Sequence, residues 1–377
     1  MTTPLPSPDA EVLTPPDAAE VQVLAEGVTS AIAPPSGLTP LQSILVGSMF
    51  EAMTGHEPVQ PAAPISADAF ARALAGRNEA FRSRILQVML LGALVLRPLP
   101  REVADQLEAF SRELSVGDGM LEVAHRYAEG SFDLAAFDFD RNGYTADWSI
   151  DRQEALHSSR ALDGPWATSV DDPELAARWR SLEDLPPGTL GRLLTELYRA
   201  RGFSYPGTEG SAPPLLAQHD WVHVLADYGT TVTSELEVFA FIARANDDPR
   251  AFSLLAMVVS LFETGYLRTG AGLFEAFPGQ LSRDGVATRI ADAMRRGALV
   301  EGSIDFLGLD WFEVAELPVD ELRTRLHVVP KSDRAVEAGS VGPWDPGGIS
   351  EFQVEQGRAF AARSGVAYDA HGAVPPR

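Results

Sequence analysis

His219-Asp220-Trp221-Val222-His223, followed after eleven intervening residues by Glu235, is the segment of this sequence whose residue types could carry chemistry. Two histidines at i and i+4 share one face of a helix. At about 100° per residue, Asp220 stands roughly 100° and His223 roughly 40° from His219, so three donors project within one arc over ~6 Å of axis. Glu235 cannot join them on the same straight helix, because it would lie ~24 Å along the axis from His219. A turn must intervene. Asp227-Tyr228-Gly229-Thr230-Thr231 supplies one, with Gly229 free to take positive φ. Glu235 then falls in the first turn of the returning helix. Two imidazoles and two carboxylates make a borderline-hard donor set, suited to Zn2+, Fe2+, Mn2+ or Co2+. His219, Asp220, His223 and Glu235 are therefore the expected metal ligands, and no separate catalytic residue is legible. The bland alternative is a pair of surface histidines beside an acid. The apolar flanks Leu215, Leu216, Val222, Val224 and Leu225 count against it, since unpaired imidazoles on a half-buried helix are costly.

The elements around this segment read as helices, so an all-α fold is expected. Thr39 and Pro40 open a helix through Met53, and Ser66 caps one that carries Phe70 and Leu74. Arg82–Leu96 reads as a core helix, and Pro100 opens another with Val103, Leu107 and Phe110 at helical spacing. Further on come Asp172–Ser181, Leu190–Arg201, Leu215–Tyr228, Ser234–Asn246, Pro249–Leu267, Arg283–Arg296 and a short helix at Ile349–Ala362. The run Ala251–Phe262 is expected in the core, and it could also wall a lipid cavity. The expected organisation is a Pro-rich acidic disordered arm at 1–39, a helical module at 40–145 and a linker at 146–169. A metal-binding domain at 170–330 and a mostly disordered tail at 331–377 follow. Within the arm, Val21–Ile32 has the pattern of a short helix.

Composition excludes several function classes. The chain has 377 residues, 53 acidic and 30 basic, for a net charge of −23. Such a balance does not suit phosphate-backbone binding, so no nucleic-acid partner is expected. With no cysteine, disulfides, iron–sulfur clusters and thiol nucleophiles are ruled out. Lys331 is the only lysine, so a Schiff-base enzyme or a P-loop NTPase would rest on that one residue. The longest apolar runs, Ile85–Leu96 and Ala251–Phe262, would each cover ~18 Å, short of the ~30 Å hydrocarbon core. The first basic residue is Arg72, behind a series of acids, which fits neither a secretory signal nor a transit peptide. A cytoplasmic location is expected, with peripheral contact at the inner face of the membrane as the alternative.

Three stretches together point to a family. The segment His219-Asp220-x-x-His223-x11-Glu235 resembles the signature of the ubiquinone (coenzyme Q) biosynthesis COQ-four family. Leu185-Pro186-Pro187-Gly188-Thr189-Leu190-Gly191 resembles that family's Pro-x-Gly-Thr-Leu-Gly segment. Ala293-Met294-Arg295-Arg296-Gly297, Asp310-Trp311 and Leu317–Leu326 resemble its C-terminal Arg-x-Gly, Asp-Trp and Pro-x-x-Glu-x-Arg pattern. The resemblance covers about residues 170–330. It implies an all-helical domain, zinc or a related divalent ion on His219, Asp220, His223 and Glu235, and a hydrophobic cavity for a prenylated quinone or its precursor. It also implies either oxidative C1 decarboxylation of the head group or a scaffolding role beside other quinone-biosynthesis enzymes. A homodimer is a further possible assembly. The preceding helical module is similar in outline to the tellurite-resistance TerB-like fold. Because the region before the shared segment is long and acidic, a bacterial paralogue is expected.

Other motifs are weaker. His-Asp phosphohydrolases use the same His-Asp pair but need further His and Asp ligands, for which His157 and Asp247 are available. A non-catalytic lipid-carrier module is the remaining alternative. No Gly-x-Ser-x-Gly elbow supports a serine hydrolase. Asp138-Phe139-Asp140-Arg141-Asn142-Gly143 matches the start of an EF-hand loop, but Ser149 stands where the bidentate Glu belongs, so an Asn-Gly turn is expected. Gly270-Ala271-Gly272 lacks the third glycine and the preceding strand of a dinucleotide fingerprint. His56, His125, His157, His327 and His371 are isolated and are expected to pack or face solvent.

Overall fold

Short polar side chains start the helices where the sequence places them. Thr39 Oγ1 accepts from the Gln42 N–H (3.2 Å) while Gln42 Oε1 accepts from the Thr39 N–H (3.0 Å). Ser66 Oγ accepts from the Ala69 N–H, and Asn78 Oδ1 from the Phe81 N–H. The computed structural model describes residues 16–54, 61, 63–96, 99–117, 121, 171–208, 211–212, 217–245, 255, 259, 283–302 and 304–373. Among the described residues there are α-helices and short 3-10 turns but no strand, so the all-α expectation holds. The N-terminal half carries α1 (Ala18–Ile32), α2 (Pro40–Thr54), α3 (Ala67–Ala73), α4 (Glu79–Leu94) and α5 (Arg101–Leu114). The C-terminal half carries α6 (Pro173–Arg180), α7 (Leu190–Arg201), α8 (Gln218–Leu225), α9 (Val232–Ala245), α10 (Val286–Ala298), α11 (Val319–Arg325), α12 (Asp333–Glu337) and α13 (Glu351–Ser364).

The two halves share one hydrophobic core. It runs from Leu24 and Val28 of α1 through the almost wholly buried α4 to Trp221, Phe241, Met294 and Leu322. Polar ties cross the same boundary: Ser48 Oγ of α2 donates to the Ala287 carbonyl (3.0 Å), and Arg84 Nη1 of α4 donates to the Ala243 carbonyl (3.3 Å). The module and the metal-binding domain expected from the sequence are therefore not separate packing units. Where α9 and α10 cross, a Cβ on Gly297 would lie 2.3 Å from the Phe241 carbonyl oxygen, so only glycine allows that approach.

Two expectations are corrected. Within the expected disordered arm at 1–39, the short helix expected at Val21–Ile32 is present as α1 and starts earlier, at Ala18, behind a capping box between Asp17 and Glu20. Leu24, Val28, Ala31 and Ile32 recur at helical spacing and are fully buried, and this apolar stripe outweighs the local proline content. The tail at 331–377, expected to be mostly disordered, carries the helix expected at Ile349–Ala362, as α13, and α12 besides, and Ile349, Val354 and Ala361 are buried. Its order comes from hydrogen bonds to α7 and to the turn after α8, which composition does not register. The candidate calcium loop at 138–149, the expected linker at 146–169 and the expected helix Pro249–Leu267 lie outside the described residues, apart from Leu255 and Val259. Those two belong to the core.

Candidate metal centre

Helix α8 is held on three sides by segments that stand far apart in the chain. Its apolar residues Trp221, Val222 and Leu225 are fully buried. The Trp221 ring lies parallel to that of Trp311 at 5.7 Å between centroids and tilts against Trp179 at 5.6 Å. At its C-terminal end, Arg323 Nε donates to the Leu225 carbonyl (2.9 Å) and Nη2 to the Val224 carbonyl (3.0 Å). This satisfies carbonyls that have no partner within the helix and places a cation at its negative end. Alongside runs α7, which begins at Leu190 where the Leu190 N–H donates to the Leu317 carbonyl (2.9 Å). The Leu-Pro-Pro-Gly-Thr, Asp-Trp and Pro-x-x-Glu-x-Arg segments thus meet around the helix that carries the histidines.

The chain leaves α8 through a turn and returns as α9, with Glu235 in its first turn. Here the residue with positive φ is Asp227 (φ 61°), not Gly229 as expected. Gly229 is required for a different reason: a Cβ there would lie 2.8 Å from the backbone of Gly348. Asp227 tolerates the left-handed conformation as short polar residues do, and Lys331 Nζ donates to its carbonyl (2.7 Å) and pairs with its carboxylate (2.9 Å).

Of the four expected ligands, His219, His223 and Glu235 bring donor atoms together inside the core, and Asp220 lies beside His219. His219 Nε2 lies 3.3 Å from Glu235 Oε2 and 3.5 Å from Asp220 Oδ1, and His223 Nε2 lies 3.3 Å from Glu235 Oε1. One donor atom each from His219, His223 and Glu235 falls within 4.8 Å of the others, a grouping able to bind a divalent metal ion. Asp220 approaches through His219. His223 and Glu235 form the deep end, with side chains 0% and 3% exposed, while His219 and Asp220 retain 7% and 10%.

Neighbouring groups fix each donor. The His223 Nδ1 stands 2.8 Å from the Gly229 carbonyl. A carbonyl can only accept, so Nδ1 carries a proton there, and Nε2 is the ring nitrogen turned toward Glu235. That Nε2 is buried and has no hydrogen-bond partner. The His219 ring stacks on Phe239 of α9 at 5.0 Å and meets the His223 ring edge-on at 5.3 Å. The Tyr198 hydroxyl of α7 donates to Asp220 Oδ2 at 2.6 Å. Burial first, then the Asp220 carboxylate, hold the Tyr198 proton well above the usual phenol range, so this group remains a donor. The two acids are pushed apart. Burial raises the Asp220 carboxyl, and the imidazoles and Tyr198 only partly offset it. Glu235 is equally buried, but its place between both imidazoles outweighs burial and holds its carboxyl well below the usual range.

An orphaned buried imidazole nitrogen facing a carboxylate is what a divalent ion would satisfy, and the donors fit one. The Glu235 carboxylate would offset part of its charge and so part of the cost of burying it. Helical spacing alone places Tyr198 on the inward face of α7 without naming its partner. A tyrosine on the buried face of a helix needs a hydroxyl partner, and that was the available signal. Arg323 stood in the motif without an assigned contact. His157 and Asp247, the extra ligands of the phosphohydrolase alternative, lie outside the described residues.

Tyr198→Phe is expected to strip Asp220 Oδ2 of its donor, destabilising the fold by about 1–3 kcal/mol. It should also weaken divalent-ion binding about tenfold. Thermal unfolding and chelator competition on the same protein measure both, and unchanged ion affinity would remove Tyr198 from the site.

No protein-family model matches the chain, and no curated protein matches it. Among solved structures, a protein of Nostoc punctiforme PCC 73102 described as a candidate ubiquinone biosynthesis protein is similar, at 20% identity and a TM-score of 0.28. The match covers 66% of this chain and 98% of that one. No helix among the described residues is long and apolar enough to cross a membrane.

Proposed function

We propose that this chain is a divalent-metal protein of quinone biosynthesis, with the ion held by His219, Asp220, His223 and Glu235. One observation carries the metal reading: both imidazoles converge on Glu235 at 3.3 Å inside the core, and the buried His223 Nε2 has no other partner. The quinone reading rests on the three sequence stretches that surround this helix. A Zn2+-class ion would supply a Lewis acid for the carboxylate or ring oxygen of a prenylated aromatic acid. The chain's own groups do the rest. Tyr198 orients Asp220, Gly229 sets the His223 tautomer, Phe239 fixes the His219 ring, and the packed aromatics around Trp221 exclude water from the inner side. Access to the donors is from the side of His219 and Asp220, the two with residual exposure, which is where a head group would enter.

Metal content and thermal unfolding test this. Purified protein is expected to hold about one ion per chain. Adding Zn2+ to chelator-treated protein at a hundredfold excess over Kd should stabilise it by about 2.7 kcal/mol. Absence of both bound metal and stabilisation by Zn2+, Fe2+, Mn2+ or Co2+ would refute the metal reading. Native mass spectrometry after gentle detergent extraction, weighing ion and prenyl lipid together, tests the substrate class.

A further inference from the structure

The turn between α8 and α9 connects the histidine ligands to Glu235, and its fastenings come from the C-terminal segment, with one arginine of α7 joining both. The Gly229 N–H donates to the Val341 carbonyl and the Thr230 N–H to the Gly348 carbonyl, each at 2.9 Å. The Gln353 side chain grips Thr230 at two points: Nε2 donates to its carbonyl (3.1 Å), and Oε1 accepts from its hydroxyl (2.7 Å). The same Oε1 accepts from the Ser350 N–H, so the grip is part of the capping box that starts α13. Arg201 is fully buried; its Nε donates to Thr230 Oγ1 (2.6 Å) and its Nη2 to the Pro343 carbonyl (2.9 Å). At the front of the turn stands Lys331, on the Asp227 carbonyl and carboxylate.

The fastened group matters to the site. Gly229 and Thr230 are the residues most tightly tied, and the Gly229 carbonyl receives the His223 Nδ1 proton. An acceptor held from both neighbouring amides fixes the ring plane and the direction of the Nε2 lone pair. We propose that the segment Lys331–Gln353 is an outer clamp of the metal centre, with Gln353 and Lys331 as positioning residues that act through the Gly229 carbonyl on His223. This rests on the metal reading above, but the clamp also has a readout of its own.

The test compares Gln353→Ala with Tyr368→Phe in the full chain. Tyr368 donates its hydroxyl to the Ala200 carbonyl (3.0 Å), so it ties the same tail to α7 without touching the turn. Zn2+ affinity by chelator competition, melting temperature and the His223 ring N–H resonance are measured, the resonance being assigned by its absence in His223→Gln. Gln353→Ala is expected to lose Zn2+ affinity about 10–100-fold and to lose the protected ring N–H signal. Tyr368→Phe should keep both, whatever its melting temperature. Equal losses in the two variants, in step with melting temperature, would reduce the tail to a stabiliser and overturn the proposal. So would a Gln353→Ala protein with unchanged affinity and resonance. If Gln353→Ala fails to fold, Lys331→Met, which releases the front of the turn, carries the same expectations. If the unaltered protein binds no Zn2+, the metal reading fails alone. The His223 resonance then decides the clamp: its loss in the variant upholds it, and its persistence overturns it.

Discussion

Glu235→Gln is expected to lower divalent-ion affinity by more than about a hundredfold while leaving the protein folded. The amide keeps the volume of the carboxylate at a position that is 2% exposed, so packing is not disturbed. It removes an anion that would balance the ion, and it leaves a weaker donor facing both imidazoles. The metal-free protein should tolerate the change well, because the amide can meet His223 Nε2 with either its NH2 group or its carbonyl oxygen. Chelator competition and circular dichroism on the same sample check the two halves. Ion affinity equal to that of the unaltered protein would remove Glu235 from the ligand set.

Trp221→Ala should produce the largest loss of stability, about 3–5 kcal/mol. Trp221 is fully buried among Trp179, Trp311 and Phe312, at the point where three distant segments meet. Its neighbours on either side, Asp220 and Val222, belong to the helix that presents the ligands, so a cavity here loosens α8 itself. Ion affinity should fall together with stability, in contrast to Glu235→Gln, where only the ion is lost. Denaturant unfolding reads the first and metal titration the second. A loss below about 1 kcal/mol would show that the surrounding aromatics collapse into the space without cost to the helix.

The ligand geometry was legible because helical spacing is a strict constraint. His219 and His223 had to share a face, and Glu235 had to return on a second helix. Helix α7 was legible to the residue, since Thr189 and Gly202 bracket a clear apolar stripe. The supporting groups were not. Gln353 and Arg201 act across long sequence separations, and nothing in their local pattern distinguishes them from ordinary core or surface residues; Tyr198 signalled that its hydroxyl needs a partner, but not which one. The shared core of the two halves was hidden for the same reason: the apolar faces of α2 and α4 say that something covers them, not what. Beyond the helix expected at Ile349–Ala362, order in the C-terminal segment escaped because it rests on distant partners, the buried Arg201 and a small apolar cluster around Ala200, which local composition does not register.

Lys331 is the only lysine of the sequence, and its side chain is 7% exposed, with the ammonium held on Asp227. Apart from the amino terminus, the sequence therefore offers amine-reactive reagents a single internal target, and that target is nearly buried against Asp227. Acylation at Lys331 would report on one place inside the fold, the turn behind the histidines. Its rate amounts to a clock for the opening of that turn, built into the chain without any engineered label.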